Sequence, residues 1–169
     1  MRIIVSDTCC MIDLTKAALL EDMLRLPYTF TMPATLFNDE WISIDGDGKE
    51  RLRELGLEVR DLPGESVTRA AAYYNENPGL KLNDCFALVL AEDTDESMLL
   101  TGDARLRTLA EDNDVEVHGV LWITDELEER NIVTAQRLHG ALCMLRDDPL
   151  VFLPDAELAS RIRRLARLL

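Results

Sequence analysis

Apolar residues fall along this chain in short blocks separated by polar stretches rich in Gly, Pro, Asn and Asp. Arg2–Ser6, Tyr28–Met32, Leu57–Asp61, Met98–Thr101 and Val115–His118 are short runs of strand length. Between them lie longer segments with apolar residues at helical spacing. One runs from an Asp13 cap to about Leu26, one from Pro33 through ATLFNDEWISI, one over Lys49–Leu55 up to Gly56, and one over Glu65–Asn77 up to Asn-Pro-Gly. The longest apolar run, Cys85–Ala91, has no polar side chain, and periodicity alone assigns it to neither strand nor helix. Its flanks decide for a helix buried on nearly all sides: Asn83 is a good N-cap, Asp84 suits the first turn, and Ala and Leu are strong helix formers. Gly102 and Asp103 then lead from the strand at 98–101 into the amphipathic ARLRTLAED.

The later part continues in the same vein. Gly119 opens the apolar VLWI, and helices are expected around Glu126–Arg130 and Thr134–Leu145. A last helix from Asp155 carries Leu158, Ile162, Leu165 and Leu169 in a stripe, with Arg161, Arg163, Arg164 and Arg167 around it. Alternating strands and helices predict a three-layer α/β sandwich with a mainly parallel central sheet. Residues 1–150 form one domain, and 151–169 an amphipathic basic helix packed on that domain or on a second subunit.

Composition narrows the function classes. At 169 residues and 47% hydrophobic content the chain has enough material for one well-filled core. No run approaches a membrane span and the amino terminus enters a strand directly, which points to a cytoplasmic protein. Cys9, Cys10, Cys85 and Cys143 form no CxxC pair, and adjacent Cys9 and Cys10 on a strand end would face opposite ways, so all four are read as packing residues. The net charge of −14 argues against general affinity for polyanions, though bound cations and a local basic strip can still attract phosphate. The Asp45-Gly-Asp-Gly48 segment lacks the later ligands of a calcium loop and is read as a plain loop.

The chemistry-bearing residues are acids at repeated addresses. Asp7 directly follows the first strand and Asp103 follows the strand at 98–101, where open α/β sheets place their sites. Asp84 stands at a helix start. Glu40 lies beside the apolar face of Phe37, Trp41 and Ile44, with Asp39 as its neighbour and competitor. Carboxylates gathered together repel and raise one another's pKa unless cations neutralise them, and an all-oxygen set suits Mg2+ or Mn2+ before zinc.

In order and spacing, IIVSDTCCMIDL, MPATLFNDEW, KLNDCFALVLAE, LLTGDARLRTLAE and VEVHGVLWITDEL resemble the PIN-domain family, which includes the VapC-like toxin ribonucleases. The resemblance covers about Ile3–Leu127. It implies a PIN-like fold and a metal-dependent ribonuclease acting on single-stranded or structured RNA, with Asp7, Glu40, Asp84 and Asp103 as both catalytic and metal-binding residues. Thr101 matches the small hydroxyl residue often found before the last acid. Cys9 stands where Ser or Asn is common, and the second acid falls on Asp39 if register follows Pro33 instead of the apolar residues. A toxin–antitoxin pairing, a small antitoxin-like partner and a homodimer are further implications of the resemblance. An inert binding or regulatory protein on the same fold, or another metal-dependent phosphohydrolase, are the alternatives.

Overall fold

A computed structural model describes residues 2–169. Five strands, β1 (Ile3–Ser6), β2 (Thr29–Pro33), β3 (Glu58–Arg60), β4 (Ser97–Leu100) and β5 (Val117–His118), form one sheet in the order β3-β2-β1-β4-β5. Every pairing is parallel, with Ile4 opposite Phe30 on one side and Met98 on the other. The central strands bury Ile4, Val5, Met98, Leu99 and Leu100 to 1% exposure or less, as strands covered on both faces require.

Among the described residues nine α-helices connect and cover these strands: α1 (Thr8–Lys16), α2 (Leu20–Met23), α3 (Gly46–Glu54), α4 (Gly64–Glu76), α5 (Leu82–Glu92), α6 (Ala104–Asp112), α7 (Val120–Glu129), α8 (Ala135–Asp147) and α9 (Asp155–Ala166). The chain steps from β1 to β2 to β3, then crosses to the other side of β1 for β4 and β5. Right-handed crossovers therefore put the connections of the two halves on opposite faces. α5 packs on β1, β2 and β4 and is itself backed by α4, while α1 meets α7 and α8. Cys85–Ala91 of α5 is buried throughout, and Phe86, at 8%, is its most exposed member. A helix apolar all round is stable only in such a sandwiched position.

Several local expectations are corrected. The helix expected from Asp13 to Leu26 is two, because Asp7 caps α1 through the Cys10 N–H and Ala18, at φ 53°, turns the chain before α2. Asp13 is thus an interior residue of α1, 7% exposed, and Cys9 and Cys10 lie on that helix instead of a strand end, with Cys9 exposed and Cys10 buried. Pro33 ends β2. The helical turn after it widens into a π-helix over Leu36–Glu40 and stops at Trp41, short of the expected Ile44. Asp45-Gly-Asp-Gly48 is the first turn of α3, since Asp45 accepts the Gly48 N–H at 2.8 Å. VLWI opens α7.

The terminal helix docks on its own chain. Leu158, Ile162 and Leu165 of α9 are at most 9% exposed, and α9 packs along α8. Arg161 and Arg164 reach Asp125 of α7 at 2.6 and 3.3 Å. Leu165→Ala is expected to cost about 2–4 kcal/mol, read as a lower urea midpoint; an unchanged midpoint would separate α9 from the cooperative unit. Among the described residues no helix is long and apolar enough to cross a membrane.

Candidate active site

The sheet order makes the gap between β1 and β4 the switch point, where connections leave in opposite directions and open a crevice at the carboxyl ends of the strands. Ser6 pairs with Leu100, and the Asp7 N–H continues the ladder to the Leu100 carbonyl at 3.0 Å. Asp7 and the Thr101-Gly-Asp103 segment therefore emerge side by side. Position alone brings the two aspartates to one edge.

Thr101 ties them together. It is fully buried; its hydroxyl donates to Asp7 Oδ2 and accepts the Asp103 N–H at 3.1 Å. The other Asp7 oxygen accepts the Cys10 N–H at 2.9 Å, so one side chain both caps α1 and faces the crevice. Asp103 likewise caps α6 with Oδ1, which accepts the Arg105 and Leu106 N–H groups at 2.8 and 2.9 Å. Cap and candidate ligand are compatible roles, because a carboxylate has a second oxygen.

The remaining acids arrive from separate elements. Glu40, at the end of the π-helical turn, is half-buried and accepts the Thr8 hydroxyl at 2.7 Å, which fixes it to the first turn of α1 beside Asp7. Asp39 is exposed. The wide turn buries Leu36 and Phe37 and directs Glu40, not Asp39, toward α1; π-turns often occur at functional sites. Asp84 sits two residues further into its helix than expected, still in the first turn: α5 starts at Leu82, its N-cap is Lys81, and Asp84 Oδ2 accepts the Lys81 N–H at 2.9 Å. Asn83 is thus not the cap. Thr8 and Lys81 escaped the sequence reading. Thr8 offered one signal, a hydroxyl directly after the first acid; Lys81, whose Nζ lies 4.0 Å from Glu40, offered none.

Electrostatics mark the cluster. Burial pushes Asp7 up to about 6, against the lowering effect of the Cys10 N–H and the Thr101 hydroxyl, and the charge of Asp84 adds to the rise. Asp84 is raised by desolvation, opposed by the Lys81 N–H, with Asp103 and Glu40 raising it further. Desolvation and the negative charges of Asp7, Asp13 and Asp103 push the Cys9 thiol to about 12, so it stays protonated at the crevice mouth. Asp7 thus feels the charge of Asp84, and Asp84 feels those of Asp103 and Glu40.

The donor set is all oxygen and anionic, which fits hard divalent cations. Among the described residues no three His, Cys, Asp or Glu side chains are drawn together closely enough to enclose an ion by themselves. Such an open arrangement fits an ion that keeps waters in its shell and takes further oxygens from a phosphate. Neither histidine belongs to the crevice: His118 stacks on Trp122 with ring centroids 4.3 Å apart, and His139 lies beside Cys143.

Fold and site together define a parallel α/β protein with a carboxylate crevice at its switch point. A family model described as a PIN domain matches residues 3–167, and the chain belongs to the PIN-domain family. Among solved structures it is similar to a PilT N-terminus domain protein from the hyperthermophilic archaeon Sulfolobus solfataricus P2. The identity is 16% and the TM-score 0.51, over 76% of this chain and 95% of that one, a likeness of fold. No curated protein matches. PIN domains are commonly nucleases and typically use divalent metals.

Proposed function

We propose that this protein is a Mg2+- or Mn2+-dependent ribonuclease that hydrolyses phosphodiester bonds of single-stranded or structured RNA. The observation that carries this reading is the convergence of Asp7, Glu40, Asp84 and Asp103 from four separate segments on one crevice, where Asp7 and Asp84 have raised pKa values. Repelling carboxylates with no cation between them are a standing cost, and a bound cation removes it.

Asp7, Glu40, Asp84 and Asp103 would hold the ion. When bound it would polarise the phosphoryl group and offset the charge that develops during hydrolysis. The protein's own groups do the positioning. Thr101 fixes the relative placement of Asp7 and Asp103, and Thr8 orients Glu40. Lys81 adds a positive charge next to Glu40 that attracts the substrate phosphate. With no histidine in the crevice, a carboxylate oxygen outside the capping bonds, on Asp84 or Asp103, orients the attacking water and receives its proton. An unpaired strand suits this open edge, because its backbone can bend toward the acids.

Calorimetric titration with Mn2+ tests the site, run beside Asp84→Asn. Saturable binding to the native chain is expected, weakened at least roughly tenfold by the substitution, together with cleavage of an unstructured RNA that depends on the same ion. Binding that is absent, or indifferent to Asp84, even with RNA present to complete the shell, would assign the crevice to an inert scaffold.

A further inference from the structure

On a chain of net charge −14, the cations that no acid neutralises are informative. Most of its Lys and Arg side chains have a carboxylate within 4.0 Å among the described residues. The exceptions are Lys49, Arg53, Arg105, Arg163 and Arg167, while Lys81 meets only Glu40 of the crevice, at the limiting 4.0 Å. Arg163 and Arg167 lie on α9, which packs along α8. The other three flank the crevice with Lys81.

Lys49 and Arg53 project from α3 onto the π-helical turn that ends in Glu40. The Lys49 ammonium donates to the Asn38 carbonyl at 3.2 Å, and both cations lie over the Phe37 ring, at 5.4 and 5.0 Å from its centroid. On the other side Arg105, in the first turn of α6, donates to the Gly79 carbonyl at 3.1 Å, two residues before Lys81. The π-helical turn follows β2 and α6 follows β4, and these strands border β1 on opposite sides. The two groups therefore stand on either side of Asp7. Arg53, Lys81 and Arg105 are exposed and Lys49 half-buried.

From this placement we propose that Lys49 and Arg53 on one rim and Lys81 and Arg105 on the other form a phosphate track. The track carries single-stranded RNA across the crevice, from the α3 side over the acids to the α6 side. The inference rests on the ribonuclease reading and specifies its substrate contacts. Acids placed centrally receive the cation and the scissile phosphate, and the flanking phosphates meet Lys49, Arg53 and Arg105, which no acid pairs among the described residues, and Lys81, whose one acidic neighbour is Glu40 of the crevice. Elsewhere the acidic surface repels the strand, which confines it to this line.

The test is binding of a fluorescein-labelled, unstructured RNA followed by anisotropy over a salt series, in an Asp84→Asn background that prevents cleavage. Lys49→Gln with Arg53→Gln, and Lys81→Gln with Arg105→Gln, are compared with Arg163→Gln with Arg167→Gln, which makes the same change in net charge on α9. Each crevice cation removed is expected to reduce the slope of log K against log salt by about 0.7. The four together should weaken binding roughly a hundredfold at about 0.1 M salt, with the α9 pair leaving the slope unchanged. An equal loss from the α9 pair would mean that only net charge matters, and would overturn the track. So would an unchanged slope, or a parent protein that does not bind RNA at all. The Lys49 and Arg53 pair decides the matter by itself if Arg105→Gln disturbs the turn at Gly79. Cleavage by the native chain is scored separately: RNA bound with the expected slope but never cut with Mn2+ removes the nuclease reading and leaves the track, and cutting with an insensitive slope does the reverse.

Discussion

Asp7→Asn is expected to cut RNA cleavage by orders of magnitude and, in the same molecule, to make the metal-free protein more stable at neutral pH. Asn caps a helix about as well as Asp, so it can accept the Cys10 N–H as before, and its amide can donate to Thr101. What is removed is a charge in a site 3% exposed. The Asp7 carboxyl titrates near 6 in the folded chain against an ordinary value of 3.8. A raised folded value favours the protonated form, so this contribution to stability is complete below about pH 4 and is lost as pH rises through 6. Above that range the ionised group costs the metal-free protein about 2–3 kcal/mol, equivalent to roughly 5–10 °C in Tm. Melts in EDTA at pH 7.5 should show the Asn variant more stable by that order, and the gap should close at pH 4. With Mn2+ the order should narrow or invert, because only the native chain binds the ion well. Cleavage should fall on the order of 10³-fold. A variant that melts lower at pH 7.5, or cuts RNA at close to the native rate, would contradict the account of Asp7 as a charge retained for function.

Removing the Thr101 hydroxyl while keeping its shape should be the second large effect. In Thr101→Val a buried Asp7 oxygen loses its donor and the Asp103 N–H loses its acceptor. An unpaired buried group costs about 1–3 kcal/mol; Asp7 is 3% exposed but Asp103 is only half-buried, so a total of about 2–4 kcal/mol is expected. The hydroxyl also lowers the Asp7 pKa, so its loss should raise that value further and make the destabilisation greatest above pH 6. Metal affinity should fall roughly 10–100-fold. Thr101→Ser should restore most of both, and that rescue separates the hydrogen bonds from simple packing. Equal behaviour of Val and Ser in calorimetry and melts would show that the bridge contributes nothing.

These two variants also show where local chemistry and tertiary placement part company. Asp103 read locally as a residue beside a helix start and Asp7 only as one that follows a strand, yet both cap helices. The family motifs carried more, since they put all four acids in order. Register through Phe37 and Trp41 favoured Glu40 and register from Pro33 favoured Asp39, one residue or about 100° of rotation apart on a regular helix. The choice depends on a π-helical turn and on the Thr8 hydroxyl arriving from α1. Asn83 was the better N-cap by propensity, yet Lys81 holds that position because the Asp84 side chain reaches back to its N–H. Propensity weighs single residues, whereas the helix start is set by which backbone groups find partners.

The sequence by itself determined the layered α/β fold and the unbroken burial of α5. Strand-length apolar runs alternating with amphipathic segments leave few other ways to cover both kinds of face, and Cys85–Ala91 has no polar side to expose. It also placed Asp7 and Asp103 directly after strands. Only the tertiary structure decided that those strands are neighbours, paired from Ser6 to Leu100 at the switch of a β3-β2-β1-β4-β5 sheet. Strand order is set by contacts between residues far apart in the chain, which local pattern does not encode. For the same reason only the fold could show Thr101 bridging to Asp7, Thr8 holding Glu40, and unneutralised cations from α3 and α6 facing each other across the acids.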